Sequence, residues 1–327
     1  MLKELKQRIL SAVTDDLGAV EAALGANLKP HFELVRQVAG HILFAGGKRL
    51  RPLLMMLSAR MCGYQGDHMA RYAVIFEYLH AATLLHDDVV DGGDLRRGAK
   101  AAHRQWDPPT AVLTGDFLLA RSLSLAAHTG LPAVIHTIAG ITEQMSQGEI
   151  EQLARKGDLT LSEDQYLDVI RCKTAVLFQG ACRVGGLISA AAEQQVQALG
   201  EYGHHLGLAF QMADDLLDYT LDTAALGKKV GADLREGKLT LPVIHTLEQT
   251  RGPDRHWITD LLQAGDFTMD EFQRLIDLLQ RQGGLEYTRR RATDHVEQAK
   301  TALALFAHGT ERRVLEDIAD YALVRKA

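Results

Sequence analysis

Six aspartates fall into two copies of one pattern, Asp-Asp-x-x-Asp: Asp87, Asp88 and Asp91 in LLHDDVVD, then Asp214, Asp215 and Asp218 in FQMADDLLD. On a helix, positions i, i+1 and i+4 lie within little over one turn, so the first and last carboxylates stack on one face roughly 6 Å apart. Carboxylates held so close repel one another unless a cation intervenes. Magnesium takes one or two carboxylates, several waters and phosphate oxygens in preference to an all-protein cage, so the expected ligand is phosphorylated and magnesium-bound. Chance placement of 25 Asp in 327 residues gives roughly 0.14 copies of such a pattern. Two copies, each closing an apolar stretch, are therefore not a merely solvated acidic face.

A magnesium-bound diphosphate also needs direct positive contacts. GGKRLRP places Lys48, Arg49 and Arg51 between a glycine pair and Pro52, a loop-to-helix junction whose free N–H groups and arginine forks favour phosphate. GGDLRRG follows the first acidic motif with Arg96 and Arg97, and Lys173-Thr174 stands mid-chain. Lys228 in LGKKVGAD and Lys238 in EGKLTLP follow the second motif. Each basic cluster alone reads as ordinary surface; their order around two acidic motifs is what gives them meaning.

The elements that must hold these groups are helices. Seven prolines leave long proline-free blocks over residues 53 to 107 and 133 to 241, Ala, Leu, Gln, Glu and Arg dominate, and sustained β-type alternation is missing. Breaks at Gly46-Gly47, Gly63, Gly92-Gly93, Pro108-Pro109, Gly130, Gly157, Gly252-Pro253 and Gly283-Gly284 predict an all-α bundle of about ten or more helices with short connections around a central cavity. No composition shift divides it, so residues 1–327 are expected to form a single domain. The acidic motifs close two apolar helices, expected over Tyr72–Asp91 and Tyr202–Leu221; packed antiparallel or at matched ends, these would turn both clusters into one cleft.

Composition removes other classes. The formal charge of −6 comes from 36 basic and 42 acidic residues, and no basic excess suggests nucleic acid. Cys62, Cys172 and Cys182 form no CxxC pair, which argues against disulfides or zinc and for a cytoplasmic location. The first residues alternate charge with Leu2, Leu5, Ile9, Val13, Leu17 and Val20, an amphipathic helix rather than a signal peptide, and no transmembrane span is expected.

The motifs together resemble the trans-isoprenyl diphosphate synthases. GGKRLRP, EYLHAATLLHDDVVD, GGDLRRG, LTGDFLLAR, FQMADDLLD and LGKKVGADLREGKLTLP follow that family's order from about residue 40 to 245. The resemblance implies head-to-tail condensation of isopentenyl diphosphate with an allylic diphosphate, farnesyl diphosphate being the expected primer. It implies that Lys48, Arg51, His80 and Arg97 bind the isopentenyl substrate. Arg96, Lys173, Thr174, Gln211 and Lys228 would hold the allylic diphosphate, with Lys238 a further substrate contact. Asp87, Asp91 and Asp214 would be the principal magnesium ligands, supported by Asp88, Asp215 and Asp218. It also implies a homodimer, for which the apolar helices near residues 110 to 145 are suitable material. Gln147 and Glu149 in SQGEIEQ resemble a family motif and read equally well as an exposed polar face.

Product length in such enzymes depends on what lies beneath the first motif. Ala82 and Thr83, five and four positions before Asp87, are small and lie one turn back on a similar face. A growing tail can pass them, with Phe76, Leu79 or residues 123 to 126 as a lower floor. Bulky aromatics there accompany short products in the family. The resemblance thus favours a long-chain, octaprenyl product, with geranylgeranyl and nonaprenyl as rivals. A non-catalytic partner subunit would keep the fold and lose catalytic residues, whereas both acidic motifs and the arginines are present here.

Overall fold

A computed structural model describes residues 2–219 and 231–324. Its helices are α1 (Leu2–Leu28), α2 (Glu33–Leu43), α3 (Leu50–Met61), α4 (Met69–Val90), α5 (Ala102–Gln105), α6 (Pro108–Ala127), α7 (Pro132–Ala154) and α8 (Glu163–Ile170). They continue through α9 (Val176–Ile188), α10 (Glu193–Leu217), α11 (Ala232–Arg235), α12 (Leu241–Gln249), α13 (Gly252–Ala264), α14 (Met269–Arg281), α15 (Gly284–Ala302) and α16 (Thr310–Val324). The all-α expectation holds.

The helix starts follow local chemistry. Asp107 caps α6 by accepting from the Thr110 N–H at 2.7 Å, with prolines in the first turn; their missing N–H groups cost nothing there. Ser162 with Gln165 and Thr268 with Glu271 form capping boxes on α8 and α14. Residues Tyr72 to Leu79 of α4 are all buried, as expected of a helix enclosed on every side rather than amphipathic.

Two apolar cores result. The larger gathers the first seven helices with α9, α10, α15 and α16; the smaller joins α8 with α10 through α15. The acidic helices, α4 and α10, are not packed side by side. Between them stands α9, which packs broadly on α10 and α3 and more lightly on α4. The close approach depends on glycines inside helices: a Cβ on Gly203 of α10 would lie 2.6 Å from the Phe178 carbonyl, and one on Gly185 of α9 2.5 Å from that of Met55.

Three local features depart from the sequence expectation. GGDLRRG is a miniature hairpin, β1 (Leu95–Arg96) against β2 (Ala99–Lys100). Arg97 and Gly98 turn it at φ 53° and 80°, the paired left-handed geometry that suits a two-residue hairpin. Between α8 and α9 the chain widens into a π-helical turn, Arg171–Ala175. Room for it comes from two glycines: a Cβ on Gly148 would stand 2.5 Å from Cys172 Cβ, and one on Gly207 2.5 Å from Ala175 Cα. Finally, by length and composition α6 passes for a membrane span; it nevertheless carries Asp116 and Arg121 and packs on α4.

Candidate active site

The first acidic cluster ends α4. Asp87 Oδ2 lies 4.0 Å from Lys173 Nζ, and the same ammonium donates to Gln152 Oε1 at 2.8 Å and pairs with Glu149 Oε2 at 2.6 Å. Burial pushes the Asp87 carboxyl up to about 6, with Lys173 opposing and Glu149 and Asp91 adding to the rise. Asp88 is buried and accepts from Arg96 Nε at 2.8 Å, while its Oδ2 is buried without a partner. Asp91 caps α4 and accepts from Lys156 Nζ at 3.1 Å and Lys238 Nζ at 3.0 Å. Burial acts to raise the Asp91 pKa, but the two ammonium groups outweigh it and hold the carboxyl below its usual range. For Lys238, burial is likewise overcome by Glu236 and Asp91, so it stays cationic.

The second cluster ends α10 and is built differently. Asp214 is exposed, whereas Asp215 is 4% exposed. Asp215 accepts from Gln211 Nε2 at 2.8 Å and from the Tyr166 hydroxyl at 2.6 Å. Burial raises its pKa strongly, Asp233 adds to this, and the two hydrogen bonds resist it. Asp218 accepts from the N–H groups of Ala232 and Asp233 at 3.1 and 3.2 Å, closing the start of α11.

The π turn ties the clusters together. Lys173 faces Asp87, and its neighbour Thr174 donates to Gln211 Oε1 at 2.8 Å, which in turn binds Asp215. A second tie runs from Lys238, beyond the second motif, to Asp91 in the first. The Gly157 N–H donates to the Gly237 carbonyl at 2.9 Å and closes that side. Both motifs thus border one cleft although their helices are not adjacent.

Around His80, on the same helix as the first cluster, the surroundings are basic. Arg97 donates to the Gly46 carbonyl, which sets the hairpin against the GGKRLRP loop. The Arg51 guanidinium lies 4.8 Å from the Phe178 ring centroid and Lys48 Nζ 5.8 Å from that of Tyr321, within cation–π range. His80 is held well below its ordinary pKa by burial, then by Arg51, Arg97, Arg96 and Arg49. It is therefore neutral in a field that attracts anions. Lys228 lies outside the described residues.

The donor set suits a hard cation. Asp88 Oδ2 and Glu149 Oε1 are buried acceptors without partners, and the surrounding carboxylates offer oxygen alone. Among the described residues no three acidic, histidine or cysteine side chains close into a cage, so Asp87, Asp91 and Asp214 are not drawn into one ready-made site. That openness matches an ion completed by waters and ligand phosphates. Glu149, Gln152, Lys156, Tyr166 and Glu236 also belong to the site. SQGEIEQ carries two of them, Glu149 and Gln152, which both reach Lys173 while Gln147 is exposed, and EGKLTLP carries Glu236 beside Lys238. Lys156 and Tyr166 are single polar residues without local pattern.

An all-helical fold with two aspartate-rich clusters tied together by Lys173, Thr174 and Gln211, and arginines gathered around His80, defines an isoprenoid synthase-type enzyme. A family model described as polyprenyl synthetase matches residues 32–279. The chain is 37% identical over 99% of both chains to the all-trans-nonaprenyl-diphosphate synthase (geranyl-diphosphate specific) of Rhodobacter capsulatus. It is 34% identical over 98% of both to the octaprenyl diphosphate synthase of Escherichia coli. A crystal structure of the Caulobacter crescentus polyprenyl synthase, complexed with calcium and isoprenyl diphosphate, superposes with a TM-score of 0.92 at 38% identity, covering 98% of each chain. The protein belongs to the polyprenyl synthetase family. It is a prenyltransferase of the polyprenyl diphosphate synthase class, a family that depends on divalent metal.

Proposed function

We propose that this enzyme is a long-chain trans-polyprenyl diphosphate synthase that uses magnesium to condense isopentenyl diphosphate, head to tail, with an allylic diphosphate. One observation carries the assignment of the site: consecutive residues of the π turn contact the first cluster through Lys173 and the second through Thr174 and Gln211. Asp87, Asp91 and Asp214 would hold magnesium, which would supply positive charge to the allylic diphosphate. Arg96, Lys173 and Lys228 bind the same group and stabilise it as the C–O bond breaks. Thr174 and Gln211 orient it, Asp88 holds Arg96 and Asp215 holds Gln211 in place, and Asp218 anchors the start of α11. Lys48, Arg51, His80 and Arg97 orient isopentenyl diphosphate so that its alkene attacks the allylic cation. A proton is then lost to restore the double bond. The apolar walls exclude water that would quench the cation.

Farnesyl diphosphate is the proposed primer, and an octaprenyl diphosphate the proposed product, suited to a quinone side chain. Ala82 is fully buried beneath the motif and adds no bulk, and Thr83 turns its hydroxyl to the His80 carbonyl at 2.9 Å. The enzyme would act in the cytoplasm as a homodimer. Supporting the dimer, α6 and α7 expose Leu113, Leu123, Ile135 and Ile150, a surface that a second copy would cover. Since α10 contributes to both apolar cores, residues 1–327 are proposed as one domain.

Incubation with magnesium, labelled isopentenyl diphosphate and farnesyl or geranyl diphosphate, followed by chromatography of dephosphorylated products, tests these assignments. An octaprenyl product from farnesyl diphosphate is expected. Preference for geranyl diphosphate would overturn the primer, and arrest at geranylgeranyl would overturn the open passage past Ala82 and Thr83. No elongation from either primer would mark a partner subunit of a two-component synthase.

A further inference from the structure

Between Lys48 and Arg51 stands an arginine that cannot reach a substrate. Arg49 is 3% exposed, with Nε donating to Glu21 Oε1 at 2.6 Å, Nη1 to Glu77 Oε1 at 2.7 Å and Nη2 to the Leu43 carbonyl at 2.5 Å. One guanidinium thus binds α1, α4 and the end of α2. Its backbone, at φ 48° and ψ 32°, is left-handed where α3 begins. A residue with a Cβ holds that conformation only when its surroundings over-determine it.

The partners are unequal. The Glu21 side chain is 46% exposed and screened by water, whereas that of Glu77 is 7% exposed. Glu77 lies one turn before His80 on α4, the helix that ends in the first acidic cluster. Its charge also acts on Arg97, offsetting part of the downward push from burial and from Arg49 and Arg96. A Cβ on Gly47 would stand 3.2 Å from Arg49 Nη1 and 3.4 Å from Arg97 Nη1, so loop, hairpin and buried arginine are in register. A buried ion pair is a poor source of stability, because apolar groups of similar volume often serve as well. What they cannot reproduce is the three-way directional grip of one guanidinium.

We infer that Arg49 and Glu77 are positioning residues, locking the left-handed turn of GGKRLRP onto α4 so that Lys48, Arg51, His80 and Arg97 converge on one diphosphate. This rests on the proposal that those four form the isopentenyl subsite. Neither Arg49 nor Glu77 touches substrate; both act through the residues they place.

Steady-state kinetics of Glu77→Gln, with each substrate varied in turn, tests the inference. The expected result is a rise of about tenfold or more in KM for isopentenyl diphosphate, with kcat and KM for the allylic substrate within about threefold of wild type. Glu77→Asp, which keeps the carboxylate, is expected to recover most of the loss. Unchanged kinetics in Glu77→Gln, or a joint loss of kcat and of both affinities, would overturn it. Should Glu77→Gln fail to fold by circular dichroism, Arg49→Lys carries the same test, since it keeps the buried charge and loses the fork. Lys48→Ala and Arg51→Ala decide the subsite separately: if they leave KM for isopentenyl diphosphate unchanged, the subsite assignment fails whatever Glu77→Gln does.

Discussion

The same five-residue motif ends α4 and α10, yet its buried middle carboxylate is compensated differently in the two copies, by a cation at Asp88 and by neutral donors at Asp215. At the first copy the partners are cations: Arg96 on Asp88, Lys156 and Lys238 on Asp91, Lys173 near Asp87. At the second, the partners seen among the described residues include neutral donors: the Tyr166 hydroxyl and the Gln211 amide on Asp215, and two backbone N–H groups on Asp218. The first copy can exchange its internal cations for a metal and a diphosphate, because those cations sit on long side chains with several rotatable bonds. The second is tied into the frame at Asp215 and Asp218 and leaves Asp214 exposed. One copy is built to be rearranged, the other to stay.

The largest test of this contrast is Asp87→Ala, expected to lower kcat about a thousandfold or more while circular dichroism stays native. Near-normal turnover in a folded variant would remove Asp87 from the metal set.

Next in size is a pH effect without metal. The Asp87 carboxyl, raised from 3.8 to about 6, binds its proton more tightly folded than unfolded. In the metal-free enzyme Asp87 should therefore contribute a loss of stability of roughly 3 kcal/mol at most as pH rises from about 4 to about 6, in the same direction as the raised Asp215 carboxyl. Asp87→Asn should reduce that slope in denaturant titrations, leaving the part due to Asp215, and added magnesium with diphosphate should restore stability above pH 6. An equal slope in the variant would show that burial of the Asp87 carboxylate carries no such cost.

Tyr166→Phe probes the fixed cluster. Loss of the 2.6 Å hydroxyl bond leaves one Asp215 oxygen unsatisfied in a buried position, at a cost of about 2 kcal/mol in unfolding free energy. A loss of turnover without loss of stability would reverse the assignment of this cluster as frame. The smallest effect is expected for Asp218→Asn, which weakens the closure onto α11 by about 1 kcal/mol in thermal denaturation.

Much of the fold was legible. Each glycine and proline break chosen from the sequence falls between helices or at a helix start, because these residues act on their own backbone. The boundary between α9 and α10 escaped notice: it turns at Ala190, φ 51°, with no glycine or proline to announce it. Conversely, Gly185, Gly203 and Gly207 lie inside helices, where they admit a neighbouring backbone rather than end an element. The second acidic helix, expected over Tyr202–Leu221, begins at Glu193 and ends at Leu217. The hairpin at Arg96 and Arg97 was hidden because two residues per strand are too few to show alternation.

The sequence by itself determined the helical class and the residues able to grip a metal diphosphate, since period, composition and motif spacing are properties of the local chain. Tertiary structure alone decided which partner each carboxylate received. Whether an aspartate sees a lysine, a phenol or a backbone N–H depends on chain segments far away in sequence, and on burial that strengthens each such contact. It also decided that two helices kept apart by α9 would still serve one cleft. The bridge is a π turn whose width is set by glycines on α7 and α10, a steric condition that no single segment contains.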